Sequence, residues 1–354
     1  MESRHYTRAD FHPLFDYVER IVRTEKLPTA VVAVASKDGL IGMEAFGTWP
    51  CGASVKTDDI YLLFSVAKPF TAVAVAQLWE RGLLHLHEPV VKYLPHFGKN
   101  GKEAITIWHL LTHTSGMEQK VLERILTEKP PPEIDILGEI VSAGVERPCG
   151  AKKTYNYLLA FSTLGEIIKR VSGKGHDVYM REEIFAPLGM VDTSFYHGAM
   201  DEQRVIPVVN PFEMNVESFY RGKYPAGSLF GTAPDLVAFG QSLLNGGTRD
   251  GHSLIKPVTL RNMTTPHTMG IEPFDKPDFN GVEVGLGWLL PVQSHSLIQR
   301  DMYGHHGAGN SMFWIYPNDD LVLVFLSNYA APAQQGFQWD YICNVFSSCI
   351  GLRG

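Results

Sequence analysis

From Phe64 to about Leu84 the chain is apolar on nearly every face: Phe70, Ala72, Val73, Ala74, Val75, Ala76, Leu78 and Trp79 follow with few polar interruptions. That pattern predicts a helix buried inside a core, ended at Gly82, rather than one lying on a surface. The segments before it are patterned differently. Residues 9 to 26 place Phe11, Leu14, Phe15, Val18, Ile21 and Val22 at helical spacing, an amphipathic first helix. Thr29 to Ser36 is rich in β-branched residues, Lys37-Asp38-Gly39 is a turn signal, and Leu40 to Gly47 returns, which predicts a hairpin. Tyr61 to Phe64 then leads directly into the buried helix.

From about 85 to 200 the pattern is mostly helical and loop-rich. Pro89 to Pro95 is a short element, and Ile105 to His113 a helix ended by Thr114-Ser115-Gly116. Lys129-Pro130-Pro131-Pro132 is a loop or a helix start. Phe161 to Val171 is a helix stopped at Gly173, and Val178 to Phe185 another before Pro187-Leu188-Gly189. Past 220 the β pattern returns: Glu283 to Val292, Ser311 to Tyr316 and Leu321 to Asn328 are strand-like, the last two joined by Pro317-Asn318-Asp319-Asp320. A final helix spans about Gln334 to Cys349. Strands at both ends with helices between them predict an α+β fold, an antiparallel sheet flanked by helices with an inserted, mostly helical lobe. The sheet domain is expected from 1–84 and 220–354, and the lobe from 85–219.

Composition narrows the function classes. The chain has 354 residues, 45% of them apolar, enough for a large core. A net charge of -7 with no Lys/Arg cluster speaks against nucleic acid and membrane surfaces as partners. The polar start, Met1-Glu2-Ser3-Arg4-His5-Tyr6, holds no apolar signal core, and no run reaches spanning length, so the expected location is cytoplasmic. Cys51, Cys149, Cys343 and Cys349 form neither a disulfide framework nor a Cys-x-x-Cys pair and are read as free thiols.

Chemistry enters at the mouth of the buried helix. Ser65 and Lys68, three apart, share one helix side, so the ammonium can sit beside the hydroxyl. Ser65 also stands near the helix N-terminus, where free N–H groups favour an oxyanion. A buried lysine needs a reason, because desolvating an ammonium is costly. A second copy, Ser253-Leu254-Ile255-Lys256, follows a glycine-rich turn and runs into Pro257, so it opens no helix. A serine becomes nucleophilic when something takes its proton. Lys68 is one candidate; a tyrosine of Lys153-Thr154-Tyr155-Asn156-Tyr157-Leu158 is another, if the lysine lowers its pKa. Gly304-His305-His306-Gly307-Ala308-Gly309-Asn310 is glycine-rich and precedes a core strand, so an N–H there can complete an oxyanion hole opposite Ser65. His305 or His306 could bind a substrate carboxylate or carbonyl. His109 and His113, four apart, could chelate a metal, but no His-Glu-x-x-His accompanies them and a structural role is the better reading. No Gly-x-Ser-x-Gly elbow exists, which excludes the α/β-hydrolase alternative.

Ser65-x-x-Lys68, a tyrosine loop before a helix, and His305-His306-Gly307 resemble, in order, the three motifs of the serine β-lactamase and penicillin-binding-protein superfamily, most closely its class C β-lactamase and family VIII esterase branch. Further matches are Leu110 to Gly116, Phe185 to Met190 with Thr193-Ser194-Phe195, Pro225 to Leu229 through Asp235, Leu244 to Gly247, and Gly285-Leu286-Gly287-Trp288. The resemblance implies an acyl-enzyme on Ser65, a proton handled by Lys68 and one of Tyr155 and Tyr157, an oxyanion held by the N–H groups of Ser65 and Ala308, and no metal or cofactor. The Tyr-x-Asn of the β-lactamases is absent, since Tyr155 is followed by Tyr157 and Tyr157 by Leu159; Lys-Thr-Gly is replaced by His305-His306-Gly307, as in esterases and amidases. Counting eight back from Gly165 selects Tyr157, counting five on from Gly150 selects Tyr155, and the first register is preferred. The expected activity is a serine hydrolase acting on a small ester or amide. The alternatives are acyl transfer or D-residue peptidase or amidase chemistry at the same site, and a catalytically silent ligand-binding protein.

Overall fold

The computed structural model describes residues 5–24, 27–128, 134–195, 200–210, 215–276, 279–293, 297–330 and 339–351. In chain order the strands are β1 (Thr29–Ser36), β2 (Leu40–Gly47), β3 (Tyr61–Leu62), β4 (Phe230–Gly231), β5 (Thr248–Arg249), β6 (His252–Ser253), β7 (Glu283–Val284), β8 (Leu289–Leu290), β9 (Tyr303–His306), β10 (Met312–Tyr316) and β11 (Leu321–Ser327). Seven of them form one antiparallel sheet in the order β2-β1-β11-β10-β9-β8-β7, while β3 pairs with β4 and β5 with β6. N-terminal and C-terminal strands thus meet at the β1–β11 ladder, from Ala30 opposite Ser327 to Ser36 opposite Leu321.

The central strands read as unbroken apolar runs because both faces of the sheet are covered. Val31, Ala33, Val322, Val324 and Leu326 face one core, beneath the helices Ala67–Glu80 and Ala233–Leu244. Ala30, Val32, Leu321, Leu323 and Phe325 face the other, beneath the helices His12–Thr24 and Trp339–Cys349. Gly240 lets its helix settle on the sheet, since a Cβ there would come within 2.6 Å of Val322. Among the described residues of 85–219 lie the helices Ile107–Leu111, Lys120–Thr127, Ile136–Ser142, Leu159–Ser172 and His176–Met180, and no strand of the large sheet. Phe70, Leu110, Phe161, Ile168, Phe185 and Phe313 share one buried cluster, so the Ala67–Glu80 helix is the common spine of sheet and lobe.

Three expectations change. Glu283 to Val292 is a tight hairpin of β7 and β8 instead of one strand, because Gly285 to Trp288 reverses the chain. Gly287 there has φ +78°, and a Cβ on it would strike that of Ala72 on the buried helix at 2.3 Å. The helix expected over Val178 to Phe185 is α-helical only to Met180 and passes into a π turn, Arg181–Phe185. The buried helix is α-helical from Ala67, preceded by a 3₁₀ turn at Phe64–Val66. The Lys129 to Pro132 stretch and the first residues of the expected last helix lie outside the described residues. Among the described residues no helix is long and apolar enough to cross a membrane. The four cysteines are free thiols.

Candidate active site

From Asp59 to Leu78 every residue is buried except Ser65, which is half-exposed. Local backbone geometry produces that exception. Phe64 sits at φ +48°, a conformation that costs a bulky residue about 1–3 kcal/mol and that persists only where surroundings impose it. Here they do. The Phe64 ring meets Phe219 edge-on at 5.5 Å, and Gly307 and Gly309 press against it: a Cβ on Gly307 would lie 2.4 Å from the Leu63 carbonyl oxygen, and one on Gly309 3.2 Å from the Phe64 ring. The same packing brings Ala308, exposed at the tip of the turn after β9, to the mouth of the helix. Within that turn Gly307 N–H donates to Ser311 O (2.8 Å) and Asn310 N–H to Gly307 O (3.0 Å), which leaves the Ala308 N–H outside the turn's own bonds.

Lys68 is fully buried one turn after Ser65. Its Nζ lies 2.9 Å from Ser65 Oγ, 2.9 Å from the Ala226 carbonyl oxygen and 3.2 Å from that of Tyr157. Burial with no carboxylate beside it pushes its pKa down to about 7. Near neutrality a large share is therefore free amine, with two N–H groups on the two carbonyls and its lone pair left for the Ser65 hydroxyl. Proline at position 69 suits this spot, because a first-turn residue has no intrahelical N–H bond to lose.

The structure brings Tyr155, and not Tyr157, to the nucleophile. The Tyr155 hydroxyl is hydrogen-bonded to Ser65 and lies 3.5 Å from His305 Nε2. Its ring is stacked between His113 (4.4 Å between centroids) and Phe279 (4.8 Å). The preferred Tyr157 register is overturned for a simple reason: that side chain turns outward, with the Lys276 ammonium at its hydroxyl and 4.3 Å above its ring. Only the Tyr157 carbonyl takes part, at Lys68. The expected lowering of the phenol pKa is also reversed. Burial raises it, although the Ser65 hydrogen bond works the other way, so Tyr155 is a neutral phenol at physiological pH.

His305 is 1% exposed. Its Nδ1 lies 2.7 Å from the His306 carbonyl, an acceptor only, so Nδ1 carries the proton and Nε2 is a lone pair facing the Tyr155 hydroxyl. His305 therefore backs the tyrosine and is shut off from a substrate. Burial and the neighbouring Lys68 push the pKa of His305 well down and that of His306 to about 4. Neither is a cation at neutral pH, so neither offers a substrate carboxylate an ion pair. His113, read as structural, is the tyrosine's second wall: its Nδ1 accepts from Asn156 N–H (3.2 Å) and its carbonyl from Thr154 N–H (2.8 Å). His109 points elsewhere, its Nδ1 accepting from Thr106 N–H at 3.1 Å, and no group of metal-binding side chains exists among the described residues. Lys153 ties the tyrosine loop to β7 through Glu283 (2.9 Å). The motifs contained no signal for the Ala226 and Tyr157 carbonyls or for Phe279, because carbonyls carry no residue identity and Phe279 comes from a loop remote in sequence.

A family model described as Beta-lactamase matches residues 14–342 of this chain. Protein Rv1367c of Mycobacterium tuberculosis is 26% identical over 350 residues, covering 85% of each chain. Esterase EstB of Burkholderia gladioli is 29% identical over 205 residues, 53% of this chain and 52% of that one. Among solved structures, a penicillin-binding protein homologue from Caulobacter crescentus shares the fold with a TM-score of 0.78 at 21% identity, covering 99% of this chain and all of the other (100%).

Proposed function

The chain belongs to the beta-lactamase family, and within it we propose that this protein is a serine hydrolase of carboxylesterase type that cleaves a small ester or amide through an acyl-enzyme. The observation that carries the reading is Lys68: a fully buried amine with pKa near 7, its N–H groups taken by two carbonyls and its nitrogen 2.9 Å from the one solvent-reaching side chain of the buried stretch. In the proposed cycle the free amine of Lys68 takes the Ser65 proton as Oγ bonds to the substrate carbonyl carbon. The N–H groups of Ser65 and Ala308 hold the oxyanion. Collapse breaks the bond to the leaving oxygen or nitrogen. Tyr155 donates its proton to that atom, and the proton taken up by Lys68 goes back to the phenolate, so amine and phenol both end the half-reaction neutral. Water then attacks the acyl carbon by the reverse arrangement. His305 Nε2, 3.5 Å from the Tyr155 hydroxyl, is an alternative acceptor for its one proton when that proton is not turned toward Ser65, and does not itself charge. The neutral His305-His306 pair on β9 favours uncharged esters over substrates that need a cation for their carboxylate.

The test is covalent. A fluorophosphonate probe is expected to label the intact protein once per chain at Ser65 and to block hydrolysis of p-nitrophenyl acetate, and Ser65→Ala is expected to show neither. A wild-type protein that takes no label and releases no p-nitrophenol would mean that the scaffold binds ligands without turning them over.

A further inference from the structure

His113 holds the two residues that flank Tyr155, through Thr154 N–H and Asn156 N–H. The residue before them, Lys153, makes a different kind of contact. Its side chain is 4% exposed, and its Nζ lies 2.9 Å from Oε1 of Glu283, itself 9% exposed, and 3.4 Å from the Val282 carbonyl oxygen. Glu283 Oε2 accepts from the Thr268 hydroxyl at 2.6 Å, and that oxygen accepts from Val284 N–H at 3.0 Å. Both carboxylate oxygens are therefore occupied. The Lys153 N–H donates to the Glu272 carbonyl at 2.9 Å, and the Lys153 ammonium lies 5.9 Å from the Phe274 ring. Phe274 packs on Phe279 at 4.9 Å between centroids, and Phe279 on Tyr155 at 4.8 Å. The buried pair thus joins the loop that carries the phenol to the segment that carries one of its aromatic walls.

We propose that Lys153 and Glu283 are positioning residues, whose buried pair sets the Tyr155 hydroxyl against Ser65 without touching substrate. A pair of this kind is a poor device for stability, because desolvating two charges offsets most of their attraction and apolar residues of similar volume often do as well. What it supplies is direction. Hydrogen bonds at both ends fix where Lys153 sits, two residues before the phenol, and proton transfer to a leaving group depends on that placement. The proposal rests on the acyl-enzyme reading above.

The test is a double-mutant cycle with Tyr155→Phe, read on p-nitrophenyl acetate. A misplacement of about 1 Å can cost about 10²-fold, and a loop still held by His113 should move less, so Lys153→Met is expected to lower kcat about tenfold with KM within about twofold. In the Tyr155→Phe background there is no hydroxyl to place, and the same change is expected to cost less than about twofold. A general loosening of the site would cost the same in both backgrounds. Lys152→Met is the control: it removes a lysine one residue earlier whose partners, Glu272 and Asp275, are exposed, and it should stay within about twofold of wild type. Because Lys153→Met leaves the Glu283 carboxylate buried without its cation, Lys153→Met/Glu283→Gln is measured beside it. That uncharged variant is expected to fold, by circular dichroism melting, and to show the same background-dependent loss. With wild-type Ser65 taking the fluorophosphonate label, equal losses in both backgrounds, full activity of the folded double variant, or failure of both variants to fold would each overturn the positioning role and leave the hydrolase reading standing. If wild-type Ser65 takes no label, both fall together.

Discussion

The molecule contains the same four-residue spacing twice. Lys68 Nζ lies 2.9 Å from Ser65 Oγ, and Lys256 Nζ lies 3.1 Å from Ser253 Oγ. The contact alone therefore cannot be what makes a nucleophile. Ser253 and Lys256 are exposed, at the end of β6 and before a proline, where water solvates the ammonium. Lys68 is fully buried, and the cost of desolvating its charge is what leaves a free amine near neutral pH. A hydrogen bond between the right residues becomes chemistry only where the fold withholds solvent from one partner and leaves the other reachable.

The largest effects should follow from removing that buried amine. Lys68→Met is expected to lower kcat/KM for p-nitrophenyl acetate by about 10⁴-fold, the upper range for a general base. Wild-type kcat/KM should rise with pH through about 7, as the ammonium loses the proton that occupies its lone pair, and the variant should lack this limb. Stability gives an independent readout. The unfolded lysine titrates near the usual value of about 10.4, the folded one near 7, so between these values the unfolded chain binds the extra proton and folding stability increases with pH. Urea melts at pH 7 and pH 10 should show wild type gaining roughly 3 kcal/mol relative to Lys68→Met. A pH-independent gap would mean that Lys68 is charged in the folded protein.

The phenol is the next element that the buried pair has and the exposed pair lacks. Tyr155→Phe is expected to cost about 10²–10³-fold in kcat/KM, whereas Tyr157→Phe keeps the backbone carbonyl that Lys68 uses and should stay within about threefold of wild type on the acetate. The reverse order would restore the Tyr157 register. Two adjacent tyrosines show where residue patterns stop being informative. Spacing from Gly165 and from Gly150 selected different residues, and the difference lies in what each ring packs on: His113 and Phe279 for Tyr155, Lys276 for Tyr157. Those partners come from two segments far from the tyrosines in sequence, His113 from one and Lys276 and Phe279 from the other. The buried helix, the β1–β2 hairpin and the β10–β11 ladder were legible because their apolar runs are local and long. Ser65 and Lys68 were legible because one helical turn joins them. The conformation of Phe64 and the two carbonyls at Lys68 were not, because they arise from the close approach of Gly307 and Gly309, of Ala226 and of the Tyr157 backbone.

The smallest expected effect completes the comparison. Ser253→Ala removes the hydroxyl that Lys256 contacts in solvent, and exposed contacts of this kind contribute within about 0.5 kcal/mol. Neither Tm nor kcat/KM for p-nitrophenyl acetate should move measurably, and fluorophosphonate should still label the variant once, at Ser65. A loss of label on Ser253→Ala would reverse the assignment between the two copies. It would then require an exposed lysine to do what the buried one does, with water competing for every hydrogen bond. The nearby Lys256 backbone N–H is held by Glu80 Oε1 at 2.7 Å, on the last residue of the same buried helix. That bond does not involve the Ser253 hydroxyl, so the anchoring of this turn to the helix is expected to survive the substitution, and the null result tests the hydroxyl and nothing else.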